Sequence, residues 1–200
     1  MRKAMKRLAV FAIPHALVLW FCLITVFLNL ASPFLNGFAV DSTGRVYVGE
    51  NETINIYEDS VKVGSIELEG PNYEFTVDQN NRVVVAYTSE VCLLDSSGIV
   101  LETKEDPGMD TFYEIHNKRS ASVTVGGDRY KKEGALGWTR IIRNGTEVVY
   151  RLSVLSFTVK MLLILCTVSM LVNGVWVITY GHKNIQEEKS RGKTGGGSFE

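Results

Sequence analysis

The feature that most constrains this chain of 200 residues is the segregation of its charges. The stretches Leu8–Val40 and Met161–Gly181 contain no Asp, Glu, Lys or Arg. A helix of about twenty apolar residues spans the hydrocarbon core of a bilayer, so each stretch is long enough to cross a membrane. We therefore predict two transmembrane helices, at residues 8–32 and 158–180. The basic start also fits a cleaved signal peptide, but the first apolar run is longer than a usual signal core, which favours an uncleaved anchor.

Basic residues flank both predicted helices on the sides away from the middle of the chain. Four Lys or Arg residues lie within 1–7, and four more lie within 183–193. Basic residues beside membrane helices remain cytoplasmic. We expect a cytoplasmic N-terminal segment at 1–7, an extracytoplasmic domain at 38–152 and a cytoplasmic tail at 181–200. The end of that tail, 194–200, has the composition of a flexible linker remnant.

Cysteine usage bears on the compartment. Cys92 is the one cysteine within 38–152, so that domain has no internal disulfide framework. A small exported vertebrate domain is more often stapled by disulfides. We therefore predict a bacterial plasma membrane.

The middle of the chain repeats a short β pattern. The segment "FAVDSTGRVYVG" from Phe38 aligns with "FTVDQNNRVVVA" from Phe75 at an offset of thirty-seven residues. Runs of β-branched and aromatic residues alternate with breaks rich in Asp, Asn and Gly, which is typical of strands joined by tight turns. Asn144-Gly145, between two such runs, predicts a hairpin with a type I′ turn.

The alignment defines units of about forty residues with about four strands each. A third, weaker copy begins at Tyr113, with Ile115 and His116 in the places of Val40 and Asp41. This period and strand number are typical of propeller blades. Over about 115 residues the pattern resembles the blades of NHL-type and related six-bladed β-propellers. The resemblance implies an architecture and no catalytic or binding residue.

The predicted fold class is thus a membrane protein with two transmembrane α-helices flanking an all-β exterior domain of about three blade-like repeats. Three blades are fewer than the four to eight that typically close a ring. Residues 38–110 hold fifteen acids and four bases, whereas 111–152 hold four acids and eight bases. A basic third unit meeting the acidic first unit of a second copy would complete six blades. A β-sandwich or a curved open sheet within one chain is the alternative, and the basic residues would then face anionic lipid or solvent.

Candidate metal and catalytic residues are few in the exterior domain. Asp41 and Asp78 start turns, but neither begins the ladder of oxygen ligands of a calcium loop, so both are expected to cap turns. His116 has no second histidine or cysteine cluster beside it in sequence and is expected at a surface turn. We predict no cofactor and no metal.

A Gly-rich stretch at 123–137 lacks the Gly-Lys-Ser/Thr of a phosphate-binding loop and is interpreted as a long loop. Loops of this kind often contact ligands or partners. The residues expected to make such a contact are Arg129, Lys131, Lys132 and Trp138.

Polar side chains follow one side of each predicted membrane helix. Such stripes usually face other helices, because polar groups in hydrocarbon need partners. We predict that these residues hold the two helices, or a dimer of them, together. They are His15, Cys22, Thr25 and Asn29 in the first helix and Cys166, Ser169 and Asn173 in the second.

These observations favour a membrane-anchored extracytoplasmic binding or assembly module, an accessory subunit or receptor-like partner of a larger membrane complex. Its expected partners are the lipid bilayer and a second copy or another membrane protein, with no nucleic acid. A self-assembling structural surface protein is the alternative. A cell-envelope enzyme is the least favoured class, because no pair of carboxylates stands out for acid–base chemistry.

Overall fold

The computed structural model of the chain describes residues 2–28, 30–118, 121–135 and 138–194, and the side chains of 13–28, 30–118, 121–134, 138–176 and 178–179. Within these ranges the chain forms three helices and twelve strands. In chain order they are α1 Arg2–Phe27, β1 Leu35–Val40, β2 Val46–Glu50, β3 Thr53–Glu58, β4 Val61–Glu67, β5 Glu74–Val77, β6 Val83–Ala86, β7 Glu90–Leu94, β8 Val100–Glu105, α2 Asp110–Lys118, β9 Ser122–Val125, β10 Asp128–Ala135, β11 Trp138–Arg143, β12 Glu147–Arg151 and α3 Val154–Thr194.

The strands form three antiparallel sheets of four, each paired in chain order: sheet 1 is β1–β4, sheet 2 is β5–β8 and sheet 3 is β9–β12. The prediction of an all-β domain built from four-stranded units is confirmed at this level. The described strands form three sheets, so the alternative of a β-sandwich, which packs two sheets, is not observed. The three sheets also do not close into a propeller ring.

The three sheets pack with sheet 1 in the middle. One apolar cluster joins sheet 1 to sheet 2 and includes Tyr47 and Phe75; a second joins sheet 1 to sheet 3 and includes Val46, Val48 and Ile141. Successive residues of a strand point to opposite faces, so β2 feeds both clusters and is buried along nearly its whole length. Sheet 3 therefore packs on sheet 1 of the same chain, so sheet 1 makes apolar contacts on both of its faces.

A close approach between sheets 1 and 2 explains one glycine. A Cβ atom at Gly49 would lie 2.8 Å from the ring of Phe75 and 3.0 Å from the hydroxyl of Tyr73. Any side chain at this position would push the two sheets apart, so the small residue fixes their spacing.

The third unit begins later than the alignment predicted. Tyr113, Ile115 and His116 lie in α2, and sheet 3 starts at Ser122. The Asp106 carboxylate caps this helix by accepting the backbone N–H groups of Asp110, at 3.1 Å, and Thr111, at 2.8 Å. A cap of this kind satisfies N–H groups that have no partner within the helix, which favours helix over strand here.

The Gly-rich stretch forms strands in place of the predicted long loop. Gly126 and Gly127 both have positive φ, 59° and 91°, and make a tight turn between β9 and β10. The hairpin prediction at Asn144-Gly145 is confirmed: their φ values are 52° and 80°, and the N–H of Thr146 donates to the carbonyl of Arg143 at 3.2 Å.

Aspartate side chains organise three of the turns, as predicted for Asp41 and Asp78. Oδ1 of Asp41 accepts the N–H of Thr43 and Arg45, Oδ1 of Asp78 accepts the N–H of Asn80 and Arg82, and Oδ1 of Asp95 repeats the pattern, all at 2.8–3.0 Å. Burial acts to raise the pKa of Asp78, but the hydrogen bonds from Arg82 and Asn80 outweigh it and hold that pKa below its usual value.

The helical segments differ from the predicted spans at their ends. α1 stops at Phe27, short of residue 32, and α3 starts at Val154, four residues before 158. Among the described residues, one helical stretch is long and apolar enough to cross a membrane: Val154–Trp176, 23 residues, most of which are not buried. A core helix of a soluble protein would be mostly buried. In α1, the part whose side chains are described, Ile13–Phe27, is a shorter apolar helix.

The packing of sheet 2 on sheet 1 can be tested within one strand. Ile66 is 2% exposed in the cluster between these sheets, whereas Val63, also on β4, is 53% exposed. We expect Ile66→Ala to lower the free energy of unfolding by about 2–5 kcal/mol through lost burial and a residual cavity. Val63→Ala should change it by less than about 1 kcal/mol. Urea denaturation of the full chain in detergent, followed by far-UV circular dichroism, measures both, and equal effects would contradict the packing.

The aspartate turns make the free energy of unfolding depend on pH. Because the pKa of Asp78 is lowered on folding, its ionised form stabilises the fold above the unfolded pKa of about 3.9, and this contribution is lost as the pH falls through the folded value. Asp78→Asn should cost about 1 kcal/mol at pH 7 and much less near pH 2. Denaturation curves across this pH range measure the difference. A constant difference would contradict the ionic role, and Glu102→Gln, at an exposed position on β8, is the control.

Candidate functional site

An open cleft of about 750 Å³ lies on sheet 3 and gathers positive charge. We call it the basic cleft. It has four cationic side chains and one carboxylate, so it offers a positively charged surface to a ligand. Its lining residues are Lys131, Lys132, Glu133, Gly134, Trp138, Arg140 and Arg151.

Strand register brings these charges together. Glu133 on β10 pairs with Arg140 on β11, and Arg140 pairs with Arg151 on β12. The carboxylate of Glu133 accepts hydrogen bonds from Lys131 and from Arg140, both at 3.2 Å, and these two bonds, in that order, lower the pKa of Glu133. One carboxylate thus orders two cations, and the cleft keeps an excess of positive charge.

The basic cleft lies beside the start of α3. The ring of Trp138 stacks on that of Phe157, in the first turns of the helix, with centroids 4.4 Å apart and planes at 24°. Nearby in sequence, the Lys160 ammonium lies 5.8 Å from the ring centroid of Phe34. Aromatic and basic side chains are both common where a membrane helix meets the headgroup layer.

Three of the four residues predicted to contact a partner therefore share this cleft, on strands and not on a loop. Lys131, Lys132 and Trp138 line it. Arg129 is also on β10, but it does not line the cleft, and its backbone N–H donates to Oδ1 of Asn144 at 2.9 Å. The sequence missed Arg140 and Arg151, because only the pairing of β11 with β10 and β12 places them here.

A second cavity, of about 360 Å³, has polar walls and opens where the apolar cluster between sheets 1 and 3 ends. We call it the polar cavity. It draws on four strands and on the segments next to α1 and α3, so no short motif could reveal it. Its lining residues are Leu30, Ser32, Glu50, Asn51, Thr53, Asn55, Tyr57, Lys62, Ser65, Glu67, Tyr150, Arg151, Ser153 and Ser156.

A hydrogen-bonded network forms the floor of the polar cavity. The Glu50 carboxylate accepts the Asn55 amide N–H at 2.5 Å and the hydroxyl of Tyr150. The rings of Tyr57 and Tyr150 meet edge to face with centroids 5.4 Å apart. Burial first, and then the charge of Glu50, raises the pKa of Tyr57 to about 12, and the same two causes raise the pKa of Tyr150. Both tyrosines are therefore neutral hydroxyl donors at any physiological pH.

His116 lies on α2, not at the predicted turn, and joins that helix to sheet 2. Its Nδ1 is 2.9 Å from Oε1 of Glu74, whose side chain is 6% exposed. Among the residues whose side chains are described, no three His, Cys, Asp or Glu side chains come close enough to hold a metal ion. The arrangement around His116 serves packing of α2 on β5.

The predicted polar stripes lie mainly in a unit formed by residues 1–25 and 161–200, and the described contacts there include a hydrogen bond between the two helices. Nε2 of His15 on α1 lies 2.7 Å from Oγ of Ser169 on α3. The amide of Asn173 donates to the carbonyl of Ser169 at 2.8 Å. These contacts satisfy polar groups that would otherwise face an apolar surrounding.

The remaining stripe residues are placed as follows. Cys22 and Cys166 are both buried. The hydroxyl of Thr25 donates to the carbonyls of Phe21 and Cys22 of its own helix, at 3.0 and 2.9 Å. Asn29 lies outside the described residues. The helix-packing role of the stripes stays a prediction.

That role can be tested at Ser169. Ser169→Ala removes the hydroxyl that lies 2.7 Å from His15, and we expect it to destabilise the helix pair by about 0.6 kcal/mol, the average for such bonds in membranes. Thr167→Val is the matched control, since this exposed hydroxyl bonds only to the carbonyl of Leu163 among the contacts described. Unfolding of the full chain by sodium dodecyl sulfate in mixed micelles measures both. Equal losses would contradict a specific helix-to-helix bond.

No protein-family model matches the chain, and no curated protein matches it. Among solved structures, the chain is similar to a protein of unknown function from Bacteroides caccae, with 11% identity over 60% of this chain and 45% of that chain and a TM-score of 0.32. The match thus spans less than half of that protein. A TM-score this low does not establish a shared fold.

Proposed function

We propose that this chain is a membrane-anchored extracytoplasmic binding module, an accessory subunit whose β domain engages anionic lipid headgroups through the basic cleft. The observation that carries the proposal is the position of that cleft, at the N-terminal end of the one described helical stretch able to cross a bilayer. An exposed apolar helix needs lipid around it, and the charges beside its first turn then face the lipid headgroups.

The local contacts support this placement. Arg151 precedes the apolar stretch by three residues, and Trp138 stacks on Phe157 at its start. Indole rings favour the interface between hydrocarbon and water, while cations there attract lipid phosphates, each by about 1 kcal/mol. A phosphate with two or more cations around it is held in place, so the sheet is fixed relative to the bilayer surface.

The orientation and the compartment belong to the same proposal. The basic flanks of the sequence favour cytoplasmic termini and three sheets outside, and we assign the chain to the plasma membrane of a bacterium. The stripe residues His15, Ser169 and Asn173 would then pair the anchoring helices or join a larger membrane protein. Crossing of the bilayer by α1 is part of this proposal.

Self-assembly is the second candidate, and the charge distribution favours it. Sheet 3 and the basic cleft carry an excess of basic residues. Residues 38–110, which include sheets 1 and 2, hold most of the acidic residues of the β domain. Strand β8 is exposed along its whole length and is an edge of sheet 2, and an exposed edge can pair with another chain. Because both faces of sheet 1 are covered, a second copy would use sheet 2. Light scattering of the full chain, corrected for detergent, would show a dimer in that case and a monomer otherwise.

The lipid proposal predicts a headgroup preference. Native mass spectrometry of the full chain with phosphatidylglycerol should show more bound lipid than with phosphatidylcholine. Lys131→Gln removes one cation of the basic cleft, which at about 1 kcal/mol lowers phosphatidylglycerol affinity about fivefold. Arg129→Gln removes the same charge from the same strand outside the cleft and should have little effect. Equal binding of both lipids, or equal losses in both variants, would contradict the proposal.

A further inference from the structure

The polar cavity breaks the pattern of the repeat at two positions. At the offset of thirty-seven residues, Glu50 and Asn55 correspond to Tyr87 and Cys92 in the second unit. Asn55 is 6% exposed and pairs across the sheet with Val48, a member of the apolar cluster. An apolar side chain at position 55 would extend that cluster, so apolar packing alone does not explain why an amide is present there.

One atom of this amide lacks a donor. Nδ2 of Asn55 donates to Glu50, but Oδ1 is buried and has no hydrogen-bond partner among the described residues. A buried acceptor without a donor is costly, and the cost is removed when a ligand or a water supplies an N–H or O–H group. Next to a carboxylate, the donor that gains most is a cationic one.

The strand register orders the cavity wall into three rows. Reading across β2, β3 and β4, the first row is Glu50, Thr53 and Glu67; the second is Val48, Asn55 and Ser65; the third is Val46, Tyr57 and Lys62. Alternation puts these side chains on the face of sheet 1 that is turned to sheet 3. The wall is therefore acidic at one end and carries a cation at the other.

The spacing of the rows sets the length of a matching ligand. Thr53 and Tyr57 are four residues apart on one strand, which is about 13 Å at 3.3 Å per residue. The long side chain of Lys62, in the row of Tyr57, can reach towards the acidic row and so shorten the distance that a ligand must span. An extended peptide of two or three residues spans about 7–10 Å between its termini, whereas a single amino acid is too short.

We propose that the polar cavity binds a short zwitterionic peptide, with its ammonium group at Glu50 and Asn55 Oδ1 and its carboxylate at Lys62. Arg151 lines the same cavity and supplies a second cation. The Tyr57 hydroxyl is a neutral donor that can add a hydrogen bond to the ligand, whereas the Tyr150 hydroxyl already donates to Glu50 and holds that carboxylate in place. This site is separate from the lipid contact of the basic cleft, although Arg151 lines both.

The probe is trialanine, titrated calorimetrically into the full chain in detergent. We expect saturable binding, at least tenfold weaker for trialanine acetylated at its N-terminus and amidated at its C-terminus. Lys62→Gln should weaken binding about fivefold, the effect of one exposed ion pair of about 1 kcal/mol, and Lys104→Gln on β8 is the control. Glu50→Gln, similar in shape and checked for folding by circular dichroism, should abolish the preference for the free amine.

The outcomes separate this site from the lipid contact. No saturable heat with trialanine would overturn the proposal and leave a cavity that holds only water. Equal affinity for the capped and the free trialanine would overturn the proposal that the cavity recognises the two charged termini, and would indicate recognition of the peptide backbone alone. Lys131→Gln should leave trialanine binding unchanged, and Lys62→Gln should leave phosphatidylglycerol binding unchanged, so either proposal can fail without the other.

Discussion

The structure of the β domain depends on the burial of sheet 1 on both faces. Strand β2 sends Tyr47 into one apolar cluster and Val46 and Val48 into the other. A strand buried on both sides has no polar face, which is why "VYVG" lacks the alternation of a half-exposed strand. Burial of apolar surface is the main favourable term in folding. Sheet 2 contributes to one of these clusters and sheet 3 to the other, so the central sheet supplies the surface on which the other two pack.

This arrangement decides which surfaces remain for function. The inner faces of sheets 2 and 3 pack on sheet 1. Their outer faces differ in charge and in whether a helix packs on them. Helix α2 packs on β5 and β6 through the buried Ile115 and the Glu74–His116 contact. The outer face of sheet 3 has no helix of this kind among the described residues and carries the basic cleft. The asymmetry follows from the path of the chain, because the segment between β8 and β9 crosses sheet 2 and leaves sheet 3 exposed.

What the sequence could predict was local. The Asp41 and Asp78 turns and the Asn144-Gly145 hairpin depend on residues within five positions of each other, and each was found from sequence. The start of the third unit was predicted wrongly, because Tyr113 and Ile115 fit an alternating strand as well as a helix, and the deciding group was the Asp106 cap. Neither cavity could be predicted in full. Glu50 and Tyr150 are 100 residues apart and meet only after sheet 3 has packed on sheet 1.

The shared position of Arg151 connects the two cavities physically. Its backbone lies on β12, between Tyr150, which points to Glu50, and the start of α3. A guanidinium has five N–H donors in a planar fork, but it carries one charge, so a phosphate in the basic cleft and a carboxylate in the polar cavity would compete for it. Binding at one site would then weaken binding at the other, and the coupling would be equal in both directions. If both proposals hold, the β domain binds lipid more weakly when a peptide occupies the polar cavity.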